Sequence, residues 1–109
     1  MEQWQTVCQQ SDLIQDTGIC ALLNHEQVAI FFCRHSQQLY ALSNYDPIGQ
    51  ANVMSRGIIG SLGDQKVVAS PLYKQHFSLH SGECLEAPEY RLKTYEVRLN
   101  QGKVQLRIN

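Results

Sequence analysis

Tyr95-Glu96-Val97-Arg98-Leu99-Asn100-Gln101-Gly102-Lys103-Val104-Gln105-Leu106-Arg107-Ile108 decides the fold class. Tyr95, Val97 and Leu99 point one way and Glu96 and Arg98 the other, the two-residue period of a half-buried strand. After Asn100-Gln101-Gly102 the alternation resumes, with Val104, Leu106 and Ile108 opposing Lys103, Gln105 and Arg107. Glycine reaches positive φ without a Cβ penalty, so Gly102 suits the bend and the stretch predicts an antiparallel hairpin.

Upstream, Gly18 to Leu23, Glu26 to Arg34 and Gln38 to Ser43 read as three successive strands joined by Asn24-His25 and His35-Ser36-Gln37. Val28, Ile30 and Phe32 form one face of the middle strand. Ala29 and Phe31 make the other face apolar too, which predicts cover on both sides. Asn44-Tyr45-Asp46-Pro47-Ile48-Gly49 is a turn cluster, since proline fixes φ and Asn, Asp and Gly favour bends. Ser70-Pro71 breaks the chain again after a strand from Lys66 to Ala69, and His80-Ser81-Gly82-Glu83 turns it after Phe77-Ser78-Leu79. Ser11 can cap one helical turn as far as Gln15 before Gly18 ends it. Many short strands between regular turns predict an all-β sandwich or small barrel.

A length of 109 residues suits one domain, 1–109, without a deep cofactor chamber. A formal net charge of −1, with the nine basic residues scattered, offers no long-range attraction to nucleic acid or an anionic membrane. The longest apolar run, Val28 to Cys33, is too short to cross a bilayer. Met1 to Gln10 shows neither the basic start nor the apolar core of a secretory signal, so cytoplasmic residence is expected. Cys8, Cys20, Cys33 and Cys84 lack C-x-x-C spacing and are expected as four buried or half-buried thiols.

Catalytic and metal motifs are scarce. Gly57-Ile58-Ile59-Gly60-Ser61-Leu62-Gly63 has evenly spaced glycines but lacks the lysine and the strand-turn-helix setting of a phosphate loop. Cys33 and His35 share a strand face without a second ligand pair at comparable spacing, so they read as a strand cysteine and a surface histidine. His76, His80 and Cys84 recur every fourth residue, but Ser81-Gly82 interrupts any helix that would align them. No cysteine is marked as a nucleophile.

The two proline turns carry a resemblance. Asp46-Pro47-Ile48, then Ser70-Pro71-Leu72-Tyr73-Lys74-Gln75-His76-Phe77-Ser78-Leu79-His80-Ser81-Gly82, fall in register with the two cluster-binding loops of Rieske iron–sulfur domains. The two prolines, Phe77-x-Leu79, Ser81-Gly82, Pro88 and the closing hairpin fit as well. The resemblance implies an antiparallel Rieske-like β-sandwich with a remnant cluster-binding loop subdomain. It also implies that the two turns lie side by side at one end. The family's ligands are changed, its cysteines to Asp46 and Ser70 and its histidines to Ile48 and Tyr73. Two cysteines and two histidines hold a Rieske [2Fe–2S] centre, so no cofactor is expected in this chain. Ile48 and the ring of Tyr73 are expected to fill the vacated space.

Val53-Met54-Ser55-Arg56-Gly57 and the run from Ala69 to Phe77 look like the small subunits of bacterial assimilatory NAD(P)H-dependent nitrite reductases. That resemblance implies a large catalytic subunit as partner, carrying FAD, siroheme and an iron–sulfur cluster and reducing nitrite to ammonium. This chain would then be a non-catalytic accessory or regulatory subunit. Asp46, Ile48, Ser70, Tyr73, Lys74 and His76 are the implied partner surface. Two alternatives stay open: a cluster-less ferredoxin-like module of another redox complex, such as a ring-hydroxylating oxygenase, or a free-standing enzyme working through Cys84 or Cys33.

Overall fold

The computed structural model describes residues 3–108. In chain order its strands are β1 (Trp4–Gln9), β2 (Gly18–Leu23), β3 (Glu26–Cys33), β4 (Gln38–Ser43), β5 (Tyr45–Asp46), β6 (Ala51–Asn52), β7 (Ile58–Leu62), β8 (Gln65–Ala69), β9 (His76–Ser78), β10 (Thr94–Tyr95), β11 (Val97–Asn100) and β12 (Lys103–Arg107). They form four antiparallel sheets in the orders β1-β12-β11, β10-β4-β3-β2, β5-β6 and β7-β8-β9. The all-β reading holds.

The C-terminal hairpin forms in the expected register, with Val97 opposite Leu106 and Asn100 opposite Lys103. Gln101 and Gly102 both take positive φ, 53° and 77°. Two left-handed residues match the twist of the flanking strands, as the tightest hairpins require. The run from Tyr95 to Leu99 is nevertheless not one strand. Tyr95 pairs with Ala41 in one sheet and Val97 with Leu106 in another, so the chain changes sheets at Glu96. Alternation survives such a crossover and therefore conceals it.

β3 lies at the centre because both its faces are covered. Val28 and Ile30 pack with Leu23, Ala41, Val104 and Leu106 in one cluster. Ala29, Phe31 and Cys33 pack on the other side with Leu42, Met54, Val68, Phe77 and Leu92. Each fully buried Val, Leu, Ile or Phe contributes about 1.5–3 kcal/mol, so these two clusters hold the sheets together. The loop after β9 is fastened at Gly82, whose φ is +80° and where a Cβ would be driven into the Leu92 carbonyl. The Leu92 N–H donates to the Gly82 carbonyl at 2.8 Å.

Two local expectations need correction. The helical turn starts two residues early, capped at Gln9 rather than Ser11, and is a short 3₁₀ turn, Gln10–Asp12, where the Gln9 N–H donates to Asp12 Oδ2 at 2.9 Å. Leu13 returns to extended backbone, so Gln15 lies beyond it. Cys33 and Cys84 are buried and Cys8 is half-buried, but Cys20 is exposed. β2 is the outer strand of its sheet, and Cys20 and Leu22 alternate onto its open face.

Candidate functional site

Between β4 and β9 the chain makes two polar loops with similar internal chemistry. Asp46 starts the first, where Oδ1 accepts from the N–H groups of Ile48 at 2.8 Å and Gly49 at 3.0 Å. Aspartate side chains bond to their own following backbone, so this turn is written in the Asp-Pro sequence. In the second, Ser70 Oγ accepts from the Leu72 N–H at 3.3 Å, the Ser70 N–H donates to the Gln75 carbonyl at 2.9 Å, and the Lys74 N–H donates to the Ser70 carbonyl at 3.0 Å. The loops meet where Ser70 Oγ donates to Asp46 Oδ2 at 2.5 Å. Both side chains are out of contact with water, at 0% and 1% exposure. Leu72 lies against Gly49, where any Cβ would collide with its Cδ1.

The structure thus brings the six sequence-predicted positions to one end and divides them by role. Asp46 and Ser70 are spent on each other and on backbone donors. Ile48 packs half-buried onto the core. Tyr73 does not fill the space between the loops; the residue is 65% exposed, because the loop closes through Ser70 and Gln75 and turns residue 73 outward. Lys74 is exposed, with a φ of +63°. His76 stands at the loop base opposite Ala69. Its Nδ1 lies 2.6 Å from Glu86 Oε2, and its N–H donates to Glu86 Oε1 at 2.8 Å. Burial pushes the Glu86 carboxyl up, but the hydrogen bonds from His76 outweigh it and hold the group below the usual carboxylate range.

Two contributors were missed in the sequence. Asn44 is buried, its Nδ2 donating to Gln27 Oε1 at 2.9 Å and its Oδ1 accepting from the Ser55 N–H at 2.6 Å. It ties the first loop to β3 and to the segment before β7, though in sequence it is one turn-former among several. Glu86 had no signal, since nothing local announces its meeting with His76.

The other histidines and cysteines scatter. His80 stands edge-on to Tyr40, with ring centroids 5.3 Å apart, and Cys84 faces Phe77 in the core. Among the described residues no group of three or more His, Cys, Asp and Glu side chains is placed to hold a metal ion. Burial pushes the Cys84 thiol up, away from nucleophilic character. Burial also raises Cys33, but hydrogen bonds involving Ser36 and His35, with Lys66 nearby, outweigh it and leave that thiol below its ordinary value. Cys33 is itself buried at the end of β3, which limits access to it.

Two proline-bearing loops held together at one end of an antiparallel β framework define a Rieske-like domain. The chain belongs to the Rieske-like [2Fe-2S] domain family, whose sequence model matches residues 3–107. It is 48% identical over 107 residues to the small subunit of NADH nitrite reductase from Escherichia coli K12, covering 98% of this chain and 99% of that protein. The solution structure of an E. coli protein, 48% identical, superposes with a TM-score of 0.88 over 98% of this chain and 97% of that one. It is also 40% identical over 101 residues to the large subunit of nitrite reductase [NAD(P)H] from Klebsiella oxytoca, 93% of this chain but 10% of that one. The ferredoxin of carbazole 1,9a-dioxygenase from Nocardioides aromaticivorans shares the fold, with a TM-score of 0.78 over 94% of this chain and 95% of that one, at 18% identity.

The family's name implies a [2Fe–2S] group, and the side chains at the loops do not fit one. Such a centre needs four thiolate or imidazole donors divided between two irons. Here one carboxylate accepts three hydrogen bonds, one hydroxyl is turned toward it, isoleucine has no lone pair and the tyrosine is exposed to solvent.

Proposed function

We propose that this chain is the non-catalytic small subunit of an NAD(P)H-dependent nitrite reductase that reduces nitrite to ammonium. The observation that carries the reading is the match along the whole length to nitrite reductase small subunits at 48% identity. The Klebsiella relative supports it, because a domain like this one is there built into a large-subunit chain, which makes the large subunit its natural neighbour. The redox groups belong to that neighbour: by resemblance FAD, siroheme and an iron–sulfur cluster, with none in this chain. A relay through this domain would need a redox centre, and its loops carry a hydrogen bond where the family carries metal.

The loop end is the surface offered to the partner. Pro71, Leu72, Tyr73 and Lys74 stand out from it, while Asp46 and Ser70 set its shape from within. An exposed tyrosine flanked by a lysine supplies an amphipathic ring and a rim charge, residue types that suit a protein interface. Consumption of NAD(P)H assigns the complex to the cytoplasm.

The deciding experiment co-expresses this chain, tagged, with the large subunit, purifies the complex, and follows nitrite-dependent NAD(P)H oxidation with and without the chain. Co-purification, together with activity that requires the large subunit and changes when the chain is removed, is the expected result. Nitrite reduction by this chain alone, or no association with the large subunit, overturns the reading.

A further inference from the structure

β7 has a sheet neighbour on one side only. Its sequence, Ile58-Ile59-Gly60-Ser61-Leu62, contains no charge and no proline, the features that normally stop an edge strand from pairing with another chain. Ile59 turns inward onto the core, so Ile58, Gly60 and Leu62 face out. Ile58 is 77% exposed, the highest value among the exposed large hydrophobic residues of the described chain, and Leu62 is exposed as well. Between them a Cβ added to Gly60 would meet nothing within 4 Å. With Val67, Ala69 and His76 these residues line a shallow groove of about 150 Å³.

The register carries this groove into the loop end. Ile58 pairs with Ala69, the residue before Ser70, and Leu72 and Tyr73 are exposed on the loop that follows. The groove from Leu62 to Ile58 therefore ends beside Ala69, at the start of the second loop. Its cost as a free surface is self-association, since an uncharged open edge is a template for any extended chain.

We propose that β7 is a strand-addition site, at which an extended segment of the large subunit pairs with Ile58–Leu62 and seats an apolar side chain over Gly60. The proposal rests on the functional reading above and specifies where and how the partner binds. The large subunit is the occupant because the Klebsiella relative keeps this domain in the same chain as the large-subunit body, so that the edge always has that partner within reach. The groove also includes Ala69 and His76, the two residues that flank the loop proposed above as the large subunit's contact surface. Main-chain pairing supplies affinity and the gap over Gly60 supplies register, the division of labour usual in strand addition.

The test uses the large subunit and the full-length chain. Ile58→Lys places a blunting charge on the open edge at an exposed position, and circular dichroism confirms that the variant folds. Binding at least about tenfold weaker than wild type is expected. In the wild-type complex, amide exchange within residues 58–62 is expected to slow relative to the free chain. If wild type binds the large subunit but folded Ile58→Lys binds equally well and these amides gain no protection, strand addition is overturned while the subunit assignment stands. Failure of the wild-type chain to bind at all sinks the assignment instead. A wild-type homodimer that Ile58→Lys dissolves, with binding to the large subunit unchanged, gives the edge to a second copy and also overturns the proposal.

Discussion

Ser70 Oγ donates a 2.5 Å hydrogen bond to Asp46 Oδ2 across 24 residues of chain, with both groups sealed from solvent. The same carboxylate accepts from the N–H groups of Ile48 and Gly49. The bond from Ser70 clips one loop to the other, and the two from Ile48 and Gly49 hold the first loop in shape, in a place where relatives with a cluster would use metal. Asp46→Ala leaves three donors unsatisfied and is expected to cost about 2–4 kcal/mol. Ser70→Ala strands one carboxylate oxygen and is expected to cost about 1–3 kcal/mol. Because they share one bond, the two costs will not add in a double-mutant cycle measured by urea unfolding. Additive costs would show that the bond contributes nothing in solution.

At the exposed end, Tyr73→Ala combined with Lys74→Glu is expected to weaken association with the large subunit by at least tenfold, about 1.4 kcal/mol. Tyr73 is 65% exposed, so removal of its ring leaves no core cavity and the variant should unfold at the wild-type urea midpoint. Titration of the large subunit with the folded double variant is the measurement. Unchanged affinity removes the loop end from the interface.

Iron chemistry gives a third check. Protein produced anaerobically with ample iron and sulfide is expected to be colourless and essentially free of iron, because the loops present a carboxylate, a hydroxyl, an isoleucine and an outward tyrosine. A content of about two irons and two acid-labile sulfides per chain, the full complement of a Rieske centre, would contradict the donor chemistry.

The alkaline limb of stability is expected to report Tyr95. Burial first, and then the hydrogen bond it donates to Glu26 Oε1 at 3.0 Å, push its phenol up to about 12. An unfolded tyrosine titrates near about 10. The raised value means that the folded state holds this proton more tightly. The resulting stability is fully present below about pH 10 and is lost as pH rises through about 12. Tyr95 should give a tyrosinate absorbance change at 295 nm at about pH 12 while the chain remains folded, and Tyr95→Phe should lose it. Tyr95→Phe should flatten the fall in unfolding free energy above pH 10, and a parallel fall in the variant refutes the assignment.

Much of the framework was legible because its causes are local. Strand alternation placed β2, β3, β4 and the C-terminal hairpin to within a residue or two, and the doubly apolar stretch from Val28 to Phe31 marked the central strand. Proline with Asp or Ser marked both loops, since each residue type bends its own backbone. The altered positions 46, 48, 70 and 73 were visible as residue types, which is enough to judge their ligand chemistry.

Tertiary structure decided what those side chains do. Alternation through Tyr95 and Val97 gave no sign that the chain changes sheets at Glu96, because both sheets impose the same two-residue period. Tyr73 was expected inside and lies outside, for its direction depends on how Ser70 and Gln75 close the loop. Cys20 was expected to be covered, but a strand's own pattern does not say whether it lies at a sheet edge. The Asp46–Ser70 bond, the Asn44 tether and the Glu86–His76 pair join residues 10 to 24 positions apart. Short-range periodicity specifies which residues form each strand and turn, whereas contacts of this kind exist only after packing has fixed the distance between them.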